Sequence, residues 1–129
     1  MDKKDLAVKF KHSGYNCCQA VLLPYAEELG LSEELLIKLG AGFGSGMGSM
    51  EGTCGALCGG EMILGLYGYK GRRMNPRSRE MQNRFKEMCG ATICKDIKGV
   101  DTEIVLCSCD DCVRNAVDLV EELVFNSDK

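Results

Sequence analysis

Four of the nine cysteines in this 129-residue chain share one kind of local position, one or two residues after a residue that predicts the start of a helix. Free N–H groups and the helix dipole favour an anion there, so a thiol at such a position has a lowered pKa. The thiolate is the form that attacks disulfides and binds metals. The four residues are Cys17 after Asn16, Cys54 after Thr53, Cys94 after Thr92 and Cys112 after Asp110. If these helix starts converge, the four cysteines form one thiolate site.

The other five cysteines lie within five residues of that set: Cys18, Cys58, Cys89, Cys107 and Cys109. Cys54 and Cys58 are four residues apart and share one helix face. The segment 107–112 is dense enough in cysteine to ligate a metal or exchange disulfides, but it matches neither ferredoxin nor zinc-ribbon spacing. We interpret these five as further ligands, resolving thiols or packing residues, and Cys18, on an apolar stripe, as core.

A glycine-rich stretch, Gly40 to Gly60, reads GAGFGSGMGSMEGTCGALCGG and leads directly into Cys54. Glycine permits positive φ and close backbone approach, so this density indicates a tight loop. The stretch lacks the P-loop signature and the dinucleotide-binding glycine spacing, and no strand is predicted before it. We therefore interpret it as a loop that sets Cys54 at a helix start rather than as a phosphate cradle.

Helical periodicity dominates the chain, and strand alternation is nearly absent. The pattern predicts an all-α bundle of about six helices in a single domain, residues 1–129. Pro24 lies inside the second helix and should kink it. The predicted helix caps are Asn16 (with Gln19 completing a capping box), Ser32, Thr53, Asn75, Thr92, and either Ser108 or Asp110.

Apolar residues at helical spacing predict the buried face of each helix. The expected core positions are Leu35, Leu36, Leu39 and Phe43 in one helix, Leu57, Ile63, Leu64 and Leu66 in the next, Met81, Phe85 and Met88 in the third, and Val113, Ala116, Val117, Val120, Leu123 and Val124 in the last. Gly55 and Gly59, one turn apart, should allow another backbone to pack closely.

Composition excludes several classes of protein. The net charge of −3 lacks the basic excess of a general nucleic-acid binder. The N-terminus has no apolar core of signal-peptide length, and no apolar run is long enough to span a membrane. We therefore expect a cytoplasmic protein, in which nine cysteines indicate metal binding or redox chemistry rather than structural disulfides. The odd count also rules out complete pairing within one chain.

The segment Cys54-Gly55-Ala56-Leu57-Cys58-Gly59 and the glycine loop before it resemble the C_GCAxxG_C_C family, defined by a CGAxxG motif and four characteristic cysteines. The segments N-C-C-Q-A-V from Asn16, T-I-C-K from Thr92 and C-V-R-N-A from Cys112 resemble its other cysteine segments. Cys89, Cys107 and Cys109 offer competing alignments of the last two. The resemblance spans about residues 6 to 124, and it implies a redox role that depends on these cysteines.

Three hypotheses follow for the function, and they leave open whether the protein is an enzyme. The leading one is a redox protein in which Cys17, Cys54, Cys94 and Cys112 bind an iron–sulfur cluster or another thiophilic metal for electron transfer. In the second, Cys54 is a catalytic nucleophile in thiol–disulfide exchange, resolved by Cys58 or a cysteine of 107–112. In the third, the cysteines hold a structural zinc ion in an interaction module.

A redox protein needs a partner that donates or accepts electrons. The basic stretch between Lys70 and Lys86 is a candidate docking surface for an acidic redox protein, although a solvated helix face would have the same composition. No nucleic-acid partner and no membrane insertion are expected, and the sequence leaves open whether the protein forms a homo-oligomer.

Overall fold

The computed structural model describes residues 2–126 of the chain. Its α-helices are α1 (Lys3–His12), α2 (Cys17–Leu22), α3 (Ala26–Leu29), α4 (Glu33–Gly40), α5 (Gly44–Met47), α6 (Gly55–Gly68), α7 (Asn75–Cys89), α8 (Cys94–Lys98) and α9 (Cys109–Val120). Single turns of 3-10 helix occupy Leu23–Tyr25 and Ala41–Phe43, and a π-helical turn, Glu121–Phe125, extends α9. The prediction of an all-α fold is confirmed, since residues 2–126 contain no strand beyond one isolated bridge between Thr53 and Ile93.

The predicted kink at Pro24 is also confirmed. Helix α2 passes into the 3-10 turn at Leu23–Tyr25 and resumes as α3, which ends at Gly30 with a left-handed φ of 67°. Asn16 caps α2 through the predicted capping box with Gln19. Counting 17–29 as one kinked helix, the described residues contain six helices of eight residues or more, in agreement with the sequence.

Helix α6 lies at the centre and packs against α2, as its glycines predict. A Cβ atom on Gly59 would lie 3.0 Å from the Cys18 carbonyl oxygen, and one on Gly55 would lie 3.2 Å from the Cys18 backbone nitrogen. Only glycine permits so close an approach of the two backbones. On its other side α6 packs against α9, whose apolar stripe is buried at Val113, Ala116, Val117, Val120 and Val124.

Several apolar positions predicted to be buried are exposed. Leu36 is fully buried, but Leu35 and Leu39 are 48% and 39% exposed. The reason is that α4 packs against α2 through Leu36 and Gly40, which are one turn apart, and a Cβ atom on Gly40 would lie 3.1 Å from Gln19. Gln19 Nε2 also donates a hydrogen bond to the Ile37 carbonyl at 2.8 Å. Leu66 and Met88 are likewise on the surface, at 49% and 39% exposure.

Three predicted caps are wrong. Thr53 and Thr92 have no capping role because both belong to a short extended pairing, in which the Cys54 N–H donates to the Thr92 carbonyl at 2.8 Å. Helix α7 begins at Asn75 itself, with Met74 as its N-cap. Of the two residues proposed for α9, Ser108 is the cap, and its hydroxyl accepts from the Asp111 N–H at 3.1 Å.

No helix among residues 2–126 combines the length and the apolar character that crossing a membrane requires.

Candidate functional site

Four cysteines border one narrow cleft of about 140 Å³, which we call the thiol cleft. Each belongs to the start of a different helix: Cys17, Cys94 and Cys109 are the first residues of α2, α8 and α9, and Cys54 is the N-cap of α6. Cys54 and Cys94 are 2% and 5% exposed, whereas Cys17 and Cys109 are partly exposed. The cleft is therefore thiol-rich and open to solvent on one side.

The glycine-rich loop holds Cys94 in register with Cys54. The Cys94 N–H donates to the Gly52 carbonyl at 3.0 Å, while the Cys54 N–H donates to the Thr92 carbonyl at 2.8 Å. A third bond joins the Lys95 N–H to the Met50 carbonyl at 2.8 Å. These backbone hydrogen bonds pair residues 50–54 with residues 92–95 and so hold Cys54 and Cys94 in fixed relative positions.

Gly46 lies where the loop presses on Cys94. It has a left-handed φ of 59°, and a Cβ atom there would lie 2.6 Å from the Cys94 Cβ atom. Ser45 and Met47 beside it also have positive φ, which is uncommon for residues other than glycine. The loop thus adopts a strained conformation in order to reach the cleft. The sequence predicted that the glycine-rich loop positions Cys54. The structure shows that the loop positions Cys94 as well.

Cys112, the fourth member of the predicted set, lies behind the cleft rather than on its surface. Because Ser108 is the cap, α9 begins at Cys109, and Cys112 falls in the second turn. The expectation that Cys112 lies in a first helical turn is therefore wrong. The structure brings Cys17, Cys54 and Cys94 together as predicted, and Cys109 takes the position expected of Cys112.

A second group of cysteines lies in the interior. The sulfur atoms of Cys89, Cys107 and Cys112, which we call the buried trio, all lie within 4.8 Å of one another. Cys89 ends α7, Cys107 precedes α9 and Cys112 belongs to α9. The Asn115 side-chain amide donates to the Cys89 sulfur at 3.2 Å and lies 3.9 Å from the Cys107 sulfur. A hydrogen-bond donor thus faces two of the three sulfurs.

The Cys112 thiol links the two groups. The side chain of Cys112 lowers the Cys54 pKa to about 7, against the opposing effect of burial. It also lowers the Cys89 pKa to about 6, with help from Asn115 and again against burial. The same two neighbours and burial raise the Cys112 pKa. Of these three thiols, Cys112 therefore holds its proton most strongly.

The thiol pKa values of Cys17 and Cys94 are not lowered, although both residues lie at helix starts. Burial, followed by the neighbouring Cys109 and Cys54, raises the pKa of Cys17 to about 12. Burial also raises the pKa of Cys94. A lowered thiol pKa is thus observed for Cys54 but not for Cys17, Cys94 or Cys112. In the metal-free protein, desolvation outweighs the helix dipole at these positions.

Lys98 lies at the junction of the cleft and the trio. Its ammonium group donates to the Cys107 carbonyl at 3.1 Å and lies 3.8 Å from the Cys112 sulfur. Burial alone would lower the Lys98 pKa, but the nearby Cys112 and Cys109 raise it. Lys98 therefore stays charged and offsets the negative charge of the thiolates around it.

The remaining two cysteines lie outside both groups. Cys18 is fully buried and packs against the Met62 sulfur at 3.9 Å, as expected of a core residue. Cys58, predicted as a catalytic partner of Cys54, borders a different cavity with Glu61 and donates to the Thr53 carbonyl at 3.8 Å. Burial raises the Cys58 pKa to about 11.

Lys98 is a residue of the site that the sequence interpretation missed, and Cys109 was expected only as a further ligand, a resolving thiol or a packing residue. A stronger signal for Cys109 was present, since choosing Ser108 as the cap places Cys109 first in α9, in the same position as Cys17 in α2. No comparable signal marks Lys98, whose position depends on its contacts with Cys107 and Cys112.

The family described as "Putative redox-active protein (C_GCAxxG_C_C)" matches residues 15–123. No match to the chain was found among curated proteins or among solved structures. Since the matched region contains all nine cysteines and covers most of the 129 residues, the chain belongs to the C_GCAxxG_C_C family of redox-active proteins.

Proposed function

We propose that the protein transfers electrons through an iron–sulfur cluster held in the thiol cleft by Cys17, Cys54, Cys94 and Cys109. The observation that carries this proposal is the convergence of four cysteines, from four helix starts, on one cleft. Cys109 replaces Cys112 in the ligand set expected from the sequence, because Cys112 does not border the cleft. When bound, such a cluster supplies one-electron redox chemistry.

The donors at the cleft fit this group. Thiolates are the ligands typical of iron–sulfur clusters, and four of them satisfy the common cluster types. The cleft volume of about 140 Å³ is several times the roughly 30 Å³ that one water molecule occupies in the liquid. The cleft therefore has room for more than a single ion.

The spacing of the cleft cysteines favours a cluster over one zinc ion. Zinc–sulfur bonds of about 2.3 Å in a tetrahedron hold the four sulfurs about 3.8 Å apart. Among residues 2–126, the buried trio is the one set of three candidate ligands whose ligand atoms all lie within 4.8 Å of one another. The cleft cysteines are more widely spaced, which suits ligands that bind different metal atoms of one cluster.

Positive groups around the cleft offset the charge of four thiolates. Lys11 and Lys98 border it. The backbone N–H groups of Ala56 and Leu57, in the first turn of α6, lower the Cys54 pKa. Hydrogen bonds to cluster sulfurs and nearby positive charge both raise a cluster's reduction potential, so the residues of the chain that set the potential are these four.

The proposal is tested by purifying the protein without oxygen and measuring its visible absorption together with its iron, acid-labile sulfide and zinc contents. We expect broad visible absorption with iron and sulfide in equal amounts. Cys17→Ser and Cys94→Ser should each abolish both, while Cys58→Ser, outside the cleft, should retain them. A colourless wild-type protein without iron would overturn the proposal.

Thiol–disulfide exchange is a second candidate, favoured by the lowered pKa of Cys54 and by the neighbouring Cys112 thiol that lowers it. The Cys54 thiolate would attack a substrate disulfide and release one thiolate, forming a mixed disulfide. Cys112 would then lose its proton and attack the Cys54 sulfur, which releases the second thiolate. The substrate disulfide is reduced to two thiols, and the protein dithiol is oxidised to a Cys54–Cys112 disulfide.

This candidate predicts a resolving cysteine different from Cys58. In the metal-free protein, Cys112→Ser should trap the mixed disulfide on Cys54, detected by mass spectrometry, whereas Cys58→Ser should still release product. Trapping by Cys58→Ser instead would contradict the assignment. Absence of disulfide reduction by the metal-free wild type would eliminate this candidate.

A further inference from the structure

We propose that the buried trio, Cys89, Cys107 and Cys112, is a second metal site that binds one thiophilic d10 ion, Zn²⁺ or Cu⁺. This site is separate from the thiol cleft and does not depend on a cluster being bound there. Its ligands come from the end of α7, the loop before α9 and the second turn of α9.

The spacing of the trio suits a single ion. All three sulfurs lie within 4.8 Å of one another. Metal–sulfur bonds of about 2.3 Å require sulfurs about 4 Å apart around one ion. Only a small contraction of the trio is therefore needed, whereas the cleft cysteines would have to move further.

The surroundings of the trio are those of a metal–thiolate centre. Asn115 points its amide N–H at the Cys89 and Cys107 sulfurs, and the Lys98 ammonium lies 3.8 Å from the Cys112 sulfur. Such donors orient ligands and offset the charge of thiolates bound to a metal. Cysteine sulfur is also the donor that selects Cu⁺ and Zn²⁺ over harder ions.

Burial and access are both compatible with metal loading. Cys89 and Cys112 are 2% and 0% exposed, and Cys107, the most open of the three, is 9% exposed. An ion can therefore enter past Cys107, next to the exposed segment Ile104, Val105 and Leu106. Three sulfurs satisfy the low coordination number of Cu⁺, whereas Zn²⁺ would take a fourth ligand, which the neighbouring Cys54 supplies only while the cleft holds no cluster.

The test uses the full-length reduced protein, with the cleft disabled by a Cys17→Ser/Cys94→Ser double substitution. Zn²⁺ and Cu⁺ are titrated separately against a chromophoric chelator. We expect one equivalent of metal to bind tightly, and adding Cys89→Ser/Cys107→Ser to that variant to abolish it. Retention of Cu⁺ binding but loss of Zn²⁺ binding on adding Cys54→Ser would identify Cu⁺ as the ion held by the three sulfurs alone.

Asn115→Ala provides a test that leaves all three ligands in place, in case the cysteine variants do not fold. Metal affinity should fall about 10- to 100-fold, as is usual when a hydrogen-bond partner of a ligand is removed. Circular dichroism checks the fold of every variant. If the cleft-disabled protein binds no ion, or if Cys89→Ser/Cys107→Ser leaves the binding unchanged, the proposal is wrong. Iron and sulfide assays on the wild type report on the cleft alone, so the two proposals fail independently.

Discussion

The thiol cleft and the buried trio use the same residue type in two different ways. The cleft takes one cysteine from each of four helix starts and opens to solvent, and, among the described residues, no three of its sulfurs all lie within 4.8 Å of one another. The trio takes its cysteines from α7, α9 and the loop before α9, buries them and holds their sulfurs within 4.8 Å. The spacing of the sulfurs and their exposure, rather than the number of cysteines, therefore decide what each group can bind.

Two side chains join these groups. Cys54 borders the cleft and its pKa is lowered by Cys112 of the trio, and Lys98 borders the cleft while contacting Cys107 and Cys112. Substitutions at this junction should affect both groups, whereas those on either side should affect one.

Cys54→Ser should have the largest effect. It removes a proposed ligand of the cleft, so we expect a fall in iron content greater than the roughly tenfold usual for losing a ligand's hydrogen-bond partner. Redox activity should be lost with it. The measurement is iron and sulfide analysis beside Cys58→Ser. If Cys54→Ser keeps its iron, Cys54 is not the central residue of the cleft.

Gly46→Ala should abolish iron binding in the thiol cleft and leave metal binding by the buried trio unchanged. The new methyl group would lie 2.6 Å from the Cys94 Cβ atom, so Cys94 must move. We expect loss of iron and a stability loss of about 1–2 kcal/mol or more from left-handed alanine. The metal titration described for the trio should be unchanged.

Gly48→Ala is the matched control for this loop. Gly48 has a φ of 82°, but open space surrounds the position of its Cβ atom. It should therefore show the backbone cost without the loss of iron. Equal iron contents in the two variants would contradict a positioning role for Gly46.

Lys98→Met should have a smaller effect than Cys54→Ser or Gly46→Ala. We expect a change in the reduction potential of the cluster rather than a loss of metal. Removing a positive charge disfavours the reduced, more negative cluster, so the potential should fall. An interaction of about 1 kcal/mol corresponds to on the order of 40 mV for one electron. Lys95→Met, on the same helix and paired with Asp101 at 3.8 Å, is the control and should shift it less. An unchanged reduction potential in Lys98→Met would contradict the proposal that the charge of Lys98 stabilises the reduced cluster.

The sequence was sufficient for much of the fold and for three of the four cleft cysteines. Local signals, such as the Asn16 capping box and the kink at Pro24, depend on neighbouring residues and were predicted correctly. The same logic found Cys17 because capping chemistry is local. The spacing of Gly55 and Gly59 also predicted a close backbone contact, though not that its partner is α2.

The features that were missed depend on packing between distant segments. Thr53 does not cap because its backbone pairs with Ile93, 40 residues away. Leu35 and Leu39 are exposed because α4 packs against α2 through Leu36 and Gly40 instead. The trio joins residues from 89 to 112 whose spacing carries no recognised pattern. The two-residue ambiguity of the α9 cap, Ser108 or Asp110, decided between Cys109 and Cys112.

The most direct test of the difference between the two groups is iron X-ray absorption spectroscopy of the protein purified without oxygen. A cluster in the thiol cleft predicts iron surrounded by sulfur, with a second scattering shell from neighbouring iron, and the loss of both signals in Cys17→Ser. Iron with sulfur neighbours but no iron–iron scattering, or a spectrum that Cys17→Ser leaves unchanged, would contradict a multi-iron centre in this cleft.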